Sequence, residues 1–196
     1  MEKVHAGNHP LIRSEVPMTT RAARQMQEYF TAPVAQRLAA ALRLHRGQGR
    51  SLADDPVIKS RLARVRELAA GLQGQMEDME MGSRCSRCAA RPGGGCCSAV
   101  MADNTDAILL LINMLLGTEM EWQEENPADC SFLGRQGCTL AIKPIFCLNY
   151  NCSRIRNAAG KEEMATLEYL AGRLLGAQTE LEGILLDRLA RLETGR

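Results

Sequence analysis

All eight cysteines of this 196-residue chain lie within one stretch, and no thiol precedes or follows it. In order they are Cys85, Cys88, Cys96, Cys97, Cys130, Cys138, Cys147 and Cys152. Thiolate sulfur is a soft ligand that selects zinc or iron–sulfur clusters over hard cations. A Cys-x-x-Cys pair can bring two thiolates to one metal, and the remaining ligands must then come from more distant residues. The pattern predicts a metal-binding region that uses all eight cysteines.

The residues around the cysteines support this prediction. Three glycines, Gly93–Gly95, precede the adjacent pair Cys96-Cys97. Glycine permits a close approach of the backbone, so amide N–H groups could point at sulfur. Basic residues that would offset the negative charge of a thiolate site are scattered among the cysteines: Arg84, Arg87, Arg91, Arg135, Lys143, Arg154 and Arg156. The three histidines lie far away, which disfavours a mixed cysteine–histidine site.

Disulfides and ordinary buried thiols are the alternative interpretations. Four disulfides would be typical of a short secreted chain. This chain is long and shows no signal peptide, so we expect a cytoplasmic protein whose thiols are reduced and available to metal.

The cysteine stretch also resembles a known family. Cys85-Ser-Arg-Cys88 followed by Cys96-Cys97 is similar to the CxxC…CC opening of a bacterial cysteine-cluster family described as zinc- or iron-chelating (YkgJ-like). The segment from Cys130 to Cys147 is similar to that family's CPFL…GC…RP..CR block, with Ser131, Lys143 and Leu148 as departures from it. The resemblance covers about a third of the chain and implies a metal or iron–sulfur site more firmly than an activity.

Composition excludes some other classes of function. The net charge is +1, and only 4% of the residues are aromatic. We therefore expect no nucleic-acid partner, since stacking on single strands needs exposed rings. Charge is uneven: residues 13–66 hold eleven Lys and Arg against four Asp and Glu, and residues 67–129 hold three against eleven. Complementary helix faces or a basic surface for an acidic partner would both explain this. The longest apolar run, residues 107–116, is too short for a membrane span.

The first part of the chain predicts a tail followed by a broken helix. Residues 1–17 are polar and aperiodic and should form a flexible tail, in which His5 and His9 offer only a stray metal site. Thr19 or Thr20 can cap a helix that runs towards Arg46, with a kink near Ala32 caused by Pro33. A stripe at helical spacing should face the core: Met26, Phe30, Val34, Leu38, Leu42 and His45. His45, beside Arg46 near the helix end, should itself be solvated. Gly47-Gln-Gly49 should end this helix.

Two long helices with matching seams are predicted further along. Asp54-Asp55-Pro56 is a strong helix start, and Gly82 should end that helix just before the first cysteine. Its seam repeats every seven residues at Ile58, Val65, Leu72 and Met79, with Leu62, Ala69 and Met76 between them. The helix from Glu162 to Arg191 carries the same period at Leu167, Leu174 and Leu181. We expect these two helices to pack in antiparallel fashion.

Between these helices the sequence predicts a central helix and then irregular chain. Asp103 or Thr105 should cap a buried helix that runs to about Trp122, with Asn113 as a satisfied buried amide or a functional group near the metal. The acidic run that follows, Glu119, Glu121, Glu124 and Glu125, should be a solvated helix end rather than a catalytic pair. Residues 126–160 should be loops, with extended chain near Thr139–Ile142 and with Tyr150 packed over the site.

These observations predict a mainly α protein: a helical bundle with an inserted cysteine-rich, loop-built metal-binding lobe. Residues 18–196 would form one domain that contains the metal region 85–152. The first function hypothesis is an iron–sulfur protein with a [4Fe–4S] cluster, acting in electron transfer or as a redox accessory to a larger enzyme through a protein partner. The alternative is a zinc-stabilised interaction module with four-thiolate sites. An enzyme using spare thiols is a third hypothesis, and no sequence feature supports it.

Overall fold

The computed structural model describes residues 21–91, 95–120, 128–149 and 152–194. Helices account for most of them: α1 Arg21–Met26, α2 Val34–Asp54, α3 Pro56–Asp78, α4 Met81–Ala89, α5 Ala99–Ala102, α6 Ala107–Leu115, α7 Ile145–Asn149, α8 Ser153–Ala158 and α9 Lys161–Thr194. A π-helical turn, Gln27–Thr31, follows α1. The strands β1 Leu133–Gly134 and β2 Gly137–Cys138 form an antiparallel hairpin. The mainly α class predicted from the sequence is confirmed.

The first helical segment breaks where Pro33 predicts it should, but α2 does not end at its glycines. Ala32 is extended, and α2 then runs on through Gly47 and Gly49 to Asp54. The predicted stop at Gly47–Gly49 is therefore wrong. Gly49 is buried against the ring of His45, and an added Cβ would lie 2.9 Å from His45 Cδ2. The glycine therefore permits close packing of this ring instead of ending the helix.

The predicted stripe of this segment faces the core only in its middle. Phe30, Val34, Leu38 and Leu42 pack against the core, while Met26 is 51% exposed. His45 is exposed as well. The prediction for Met26 is thus wrong, because the π-helical turn that follows it and the break at Ala32 change the helical phase. The solvated position predicted for His45 is confirmed.

The long helices α3 and α9 pair in antiparallel fashion, as the heptad seams predict. Asp55 caps α3 by accepting hydrogen bonds from the N–H groups of Val57 and Ile58. Arg188 binds the same carboxylate at 2.9 Å. Within the second turn of α3, Arg61 pairs with Glu180 at 2.8 Å. Contact therefore runs from the start of α3 against the end of α9. The seam leucines of both helices are buried, and each stabilises the fold by about 1.5–3 kcal/mol.

Helix α6 is the centre of the bundle, and every residue from Ala107 to Met114 is buried. Asp106, rather than Asp103 or Thr105, caps it by accepting a hydrogen bond from the Leu109 N–H at 2.8 Å. The helix ends at Leu115, earlier than predicted, and the predicted end at Trp122 lies outside the described residues. The side chain of Arg37 in α2 is buried and donates hydrogen bonds to the carbonyls of Asp103 and Thr105 at 2.8 and 2.9 Å. These bonds attach the segment just before α6 to α2.

Asn113 is the satisfied buried amide that the sequence predicts. Its Nδ2 donates to the carbonyls of Leu109 and Ile142, and its Oδ1 accepts from the Ile142 N–H, all at 3.0 Å. The side chain thereby ties the chain after the hairpin to the central helix.

Several other predictions fall outside the described residues. These are the tail of residues 1–17 with His5 and His9, the caps Thr19 and Thr20, the acidic residues Glu121, Glu124 and Glu125, and Tyr150. Glu119 is described and is exposed. Among the helices that are described, none combines the length and apolarity that crossing a membrane would require.

Candidate metal centre

The first two cysteines lie on a helix rather than in a loop. The chain breaks at Glu80, which adopts a left-handed conformation with φ of 53°, and α4 begins at Met81. Gly82, predicted to end the preceding helix, instead lies inside α4. Cys85 and Cys88 are therefore one helical turn apart. Cys147 also lies on a helix, α7, so the prediction of an entirely loop-built cysteine region is wrong.

Gly82 allows the hairpin to pack directly on α4. A Cβ added at Gly82 would lie 2.2 Å from the carbonyl oxygen of Gln136, and one at Gly137 would lie 2.8 Å from the Gly82 Cα. Ser86 also donates to the carbonyl of Gly134 at 3.2 Å. This contact brings Cys138, the last residue of β2, beside the helix that carries Cys85.

Gly95 lies close against the end of α4. A Cβ added at Gly95 would lie 3.3 Å from Cys88 Sγ and 3.2 Å from the Ala89 nitrogen. The close approach to sulfur expected of these glycines is thus present at Gly95, while residues 92–94 are outside the described part. The carbonyl of Cys97 accepts a hydrogen bond from the Cys130 N–H at 3.2 Å. This bond joins the first half of the cysteine stretch to the second.

Cys97 interacts with two other cysteines, Cys85 and Cys96, and these interactions shift the pKa values of all three thiols. The interaction with the Cys97 side chain lowers the pKa of Cys96 to about 6. Burial raises this pKa, and the backbone N–H groups of residues 96 and 97 lower it. The same thiol lowers the pKa of Cys85, and the two contacts raise that of Cys97. The titrations of these three thiols are therefore linked.

These cysteines line an open cleft of about 200 Å³. We name its thiols the cleft set: Cys85, Cys88, Cys96, Cys97 and Cys152. Four arginines line the same cleft: Arg84, Arg87, Arg91 and Arg154. Arg154, on α8, donates to Cys88 Sγ at 2.9 Å. The cleft therefore combines soft sulfur donors with positive charge that would offset thiolates.

The other three cysteines, Cys130, Cys138 and Cys147, form a second group that we name the hairpin set. Burial raises the pKa of all three, and that of Cys147 reaches about 12. Negative charge on Cys138, Cys130 and Cys96 raises the pKa of Cys147 further. Two backbone N–H groups lower these pKa values again: the N–H of Phe132 acts on Cys130, and the N–H of Leu140 acts on Cys138.

The strands and helices around the hairpin set differ from the prediction. The strands lie at residues 133–134 and 137–138, before the predicted Thr139–Ile142. Thr139 continues the hairpin pairing by donating its N–H to the Phe132 carbonyl at 2.9 Å, and residues 140–142 form no strand. The short helices α7 and α8 also occupy part of the chain predicted as loops. Helices of five and six residues are too short to show an apolar periodicity in the sequence. Tertiary packing stabilises them instead.

The eight cysteines are free thiols, and together they offer the donor atoms of an iron–sulfur cluster or a zinc site. Amide N–H groups and guanidinium groups near sulfur are the surroundings that such a group requires. In the part of the chain that is described, no three Cys, His, Asp or Glu side chains are already arranged around a point that could hold an ion. The residues fit the chemistry of the group, and its binding would have to draw the sulfur atoms together.

Sequence reasoning identified the cysteines but missed two partners that shape the centre. Arg154 is one of the cations scattered among the cysteines, but its contact with Cys88 joins residues 66 positions apart and has no signal in the sequence. Gly82, predicted as a helix end, instead makes room for the hairpin. Comparison with protein-family models, with curated proteins and with solved structures finds no match, so the family resemblance continues to depend on the cysteine spacing.

Proposed function

We propose that this protein binds an iron–sulfur cluster in the cleft and uses it to transfer electrons, on its own or as a redox accessory to a larger enzyme. The observation that carries the proposal is the cleft itself, where five thiols and four arginines meet. A [4Fe–4S] cluster takes four cysteine thiolates and keeps a net negative charge. The cleft set supplies enough sulfur ligands, and the guanidinium groups offset that charge.

The immediate surroundings also suit a redox role. The potential of an iron–sulfur cluster depends on hydrogen bonds to its sulfur atoms, nearby charge and exposure to solvent. Arg154 supplies a charged donor to Cys88, and Cys96 is exposed at the cleft. An exposed edge would let a protein partner exchange electrons with the cluster. A reducing compartment such as the cytoplasm would keep the thiols available.

The alternative is a zinc-stabilised interaction module. Four thiolates in tetrahedral arrangement serve zinc as well as iron, and a closed zinc site would leave function to the helix surfaces. Visible absorption separates the two, because an iron–sulfur protein is brown and a zinc–thiolate protein is colourless. Anaerobic reconstitution with iron and sulfide should give broad absorption that dithionite bleaches, and the Cys88→Ser variant should lose it.

A pair of arginine variants tests whether the cleft surrounds the cluster. Arg154→Met removes a positive charge and a hydrogen bond from Cys88, so the reduction potential should become more negative. Arg156→Met removes the same charge two residues later, on the side chain that pairs with Glu168 at 3.5 Å. Its potential should stay near that of the wild type. Equal potentials in all three proteins would argue against a cluster in this cleft.

A further inference from the structure

We infer that the rim of the cleft is a docking surface for an acidic protein, which exchanges electrons with the cluster there. This protein is the redox partner of the proposed function, on which the inference rests, and its docking face is rich in Asp and Glu. The surface, which we name the arginine rim, consists of Arg87, Arg91 and Arg154. All three residues are exposed to solvent.

The cleft lacks negative side chains that would compensate its arginines. None of the described residues that line it is acidic. Arg84 pairs with Glu80 at 3.0 Å, but Arg87 and Arg91 form no ion pair with any carboxylate in the described part of the chain. The positive charge of these two residues is therefore available to a partner with the opposite charge.

Two of the rim arginines are not held by the sulfur ligands either. Arg154 donates a hydrogen bond to Cys88 Sγ at 2.9 Å, so its charge acts directly on a ligand. Arg87 and Arg91 line the same cleft but make no hydrogen bond to any residue that the structure describes. A cation that only tunes a metal centre is expected to bond to its ligands. Exposed arginines at the edge of a site instead steer a partner of opposite charge and fix its orientation.

An exposed apolar side chain close to the cleft favours a protein over a small anion as the partner. Val100 is 76% exposed, the highest value among the large apolar residues that the structure describes. It follows Cys97, a member of the cleft set, by three residues, which cannot span more than about 11 Å. An apolar side chain contributes nothing to the binding of a small anion, whereas arginine beside apolar surface is typical of protein interfaces.

Electron transfer to two carrier proteins of opposite charge tests the docking surface. The probes are plastocyanin, whose surface is acidic, and cytochrome c, whose surface is basic. Each takes one electron from the reduced cluster, plastocyanin onto copper(II) and cytochrome c onto haem iron(III). Stopped-flow rates of the cluster-loaded, reduced wild-type chain should fall with plastocyanin about tenfold or more between about 10 mM and about 300 mM salt. With cytochrome c they should rise, because salt screens a repulsion. Since the whole chain has a net charge of only +1, so strong a dependence must come from local charge. A plastocyanin rate that does not fall with salt would overturn the inference.

A pair of double variants assigns the effect to the arginine rim. Arg87→Gln combined with Arg91→Gln removes two positive charges from the rim, so the plastocyanin rate at low salt should fall about five- to tenfold. Arg46→Gln combined with Arg50→Gln is the matched control, because it removes the same charge from exposed positions of α2 outside the cleft lining. Its rate should stay within about twofold of the wild type. Equal rates in the two double variants would contradict docking at the rim.

Two further outcomes separate the ways in which the account can fail. Ferricyanide is a small anionic oxidant, and a rate that depends on Arg87 and Arg91 with ferricyanide but not with plastocyanin would show a small-anion site only and overturn the docking surface. A chain that takes up no cluster lacks visible absorption before mixing, which would disprove the proposed function and this inference together. A cluster-loaded chain without the expected salt dependence would disprove the docking surface alone.

Discussion

Asn113 on the central helix and Ile142 exchange two hydrogen bonds, one from each residue to the other, both at 3.0 Å. Both residues are fully buried. The pair joins the best-packed helix of the protein to the segment that connects Cys138 with Cys147. The position of the hairpin set therefore depends on one polar side chain in an apolar core.

Asn113→Ala should destabilise the protein strongly. The substitution leaves the N–H and the carbonyl of Ile142 buried without these partners, which costs about 2–4 kcal/mol of unfolding free energy. Urea unfolding measures the change. Asn157→Ala, on the exposed side of α8, is the control and should change stability by about 0.5 kcal/mol or less. Equal stability of the two variants would show that the Asn113–Ile142 pair does not hold this segment.

Two glycine variants should have opposite effects. Gly82→Ala places a methyl group 2.2 Å from the Gln136 carbonyl oxygen, so the hairpin must move away from α4 and stability should fall by about 1–3 kcal/mol. Gly71→Ala, in α3, meets no atom within 4 Å and should raise stability by about 0.5–1 kcal/mol, because alanine favours the helix. Thermal unfolding measures both. A stabilising effect of Gly82→Ala would contradict the packing of the hairpin on α4.

The sequence predicted those parts of the fold that depend on regular patterns. The repeats at Ile58, Val65 and Leu72 and at Leu167, Leu174 and Leu181 predicted the α3–α9 pair, because a heptad seam can be buried only against a similar seam. The cap at Asp55 and the break before Pro33 were predicted equally well, since both depend on local chemistry.

The remaining features depend on contacts between distant residues. Glycine often ends a helix, so Gly49 and Gly82 were interpreted as helix ends. Both are instead places where another group packs closely, the ring of His45 in one case and the hairpin in the other. The true break, at Glu80, uses a left-handed conformation that a glutamate rarely adopts. The sequence also does not predict which cysteines belong to the cleft set, because that depends on how α4, the hairpin and α8 pack against one another.

Asp55 should make stability depend on acid pH. Backbone hydrogen bonds, first that of Ile58, and the nearby Arg188 lower the pKa of its carboxyl group below the ordinary value. Its stabilising contribution is therefore complete above the unfolded pKa of about 4 and is lost as the pH falls through the lower folded value. Asp55→Ala should lower the melting temperature clearly at pH 7 and much less at pH 2. A loss of the same size at both values would contradict this charge effect.

Asp106 should act in the opposite direction. Burial raises the pKa of this carboxyl group, against the hydrogen bonds from Leu109 and Ile108 and the charge of Arg37. The protonated form is therefore favoured in the folded state, and stability is lost as the pH rises through the raised folded pKa. Asp106→Asn keeps a capping oxygen and removes the buried charge. Relative to the wild type, its melting temperature should improve between pH 3 and pH 7, and a relative decline over that range would contradict the assignment.

Metal analysis of the anaerobically purified wild-type chain tests the central claim most directly. Iron, acid-labile sulfide and zinc are measured on one sample together with its visible spectrum. The account predicts a brown protein that contains iron and sulfide in equal amounts. A colourless chain that binds zinc alone would support the interaction module instead, and a folded chain without iron or zinc would contradict the claim that these thiols form a metal centre.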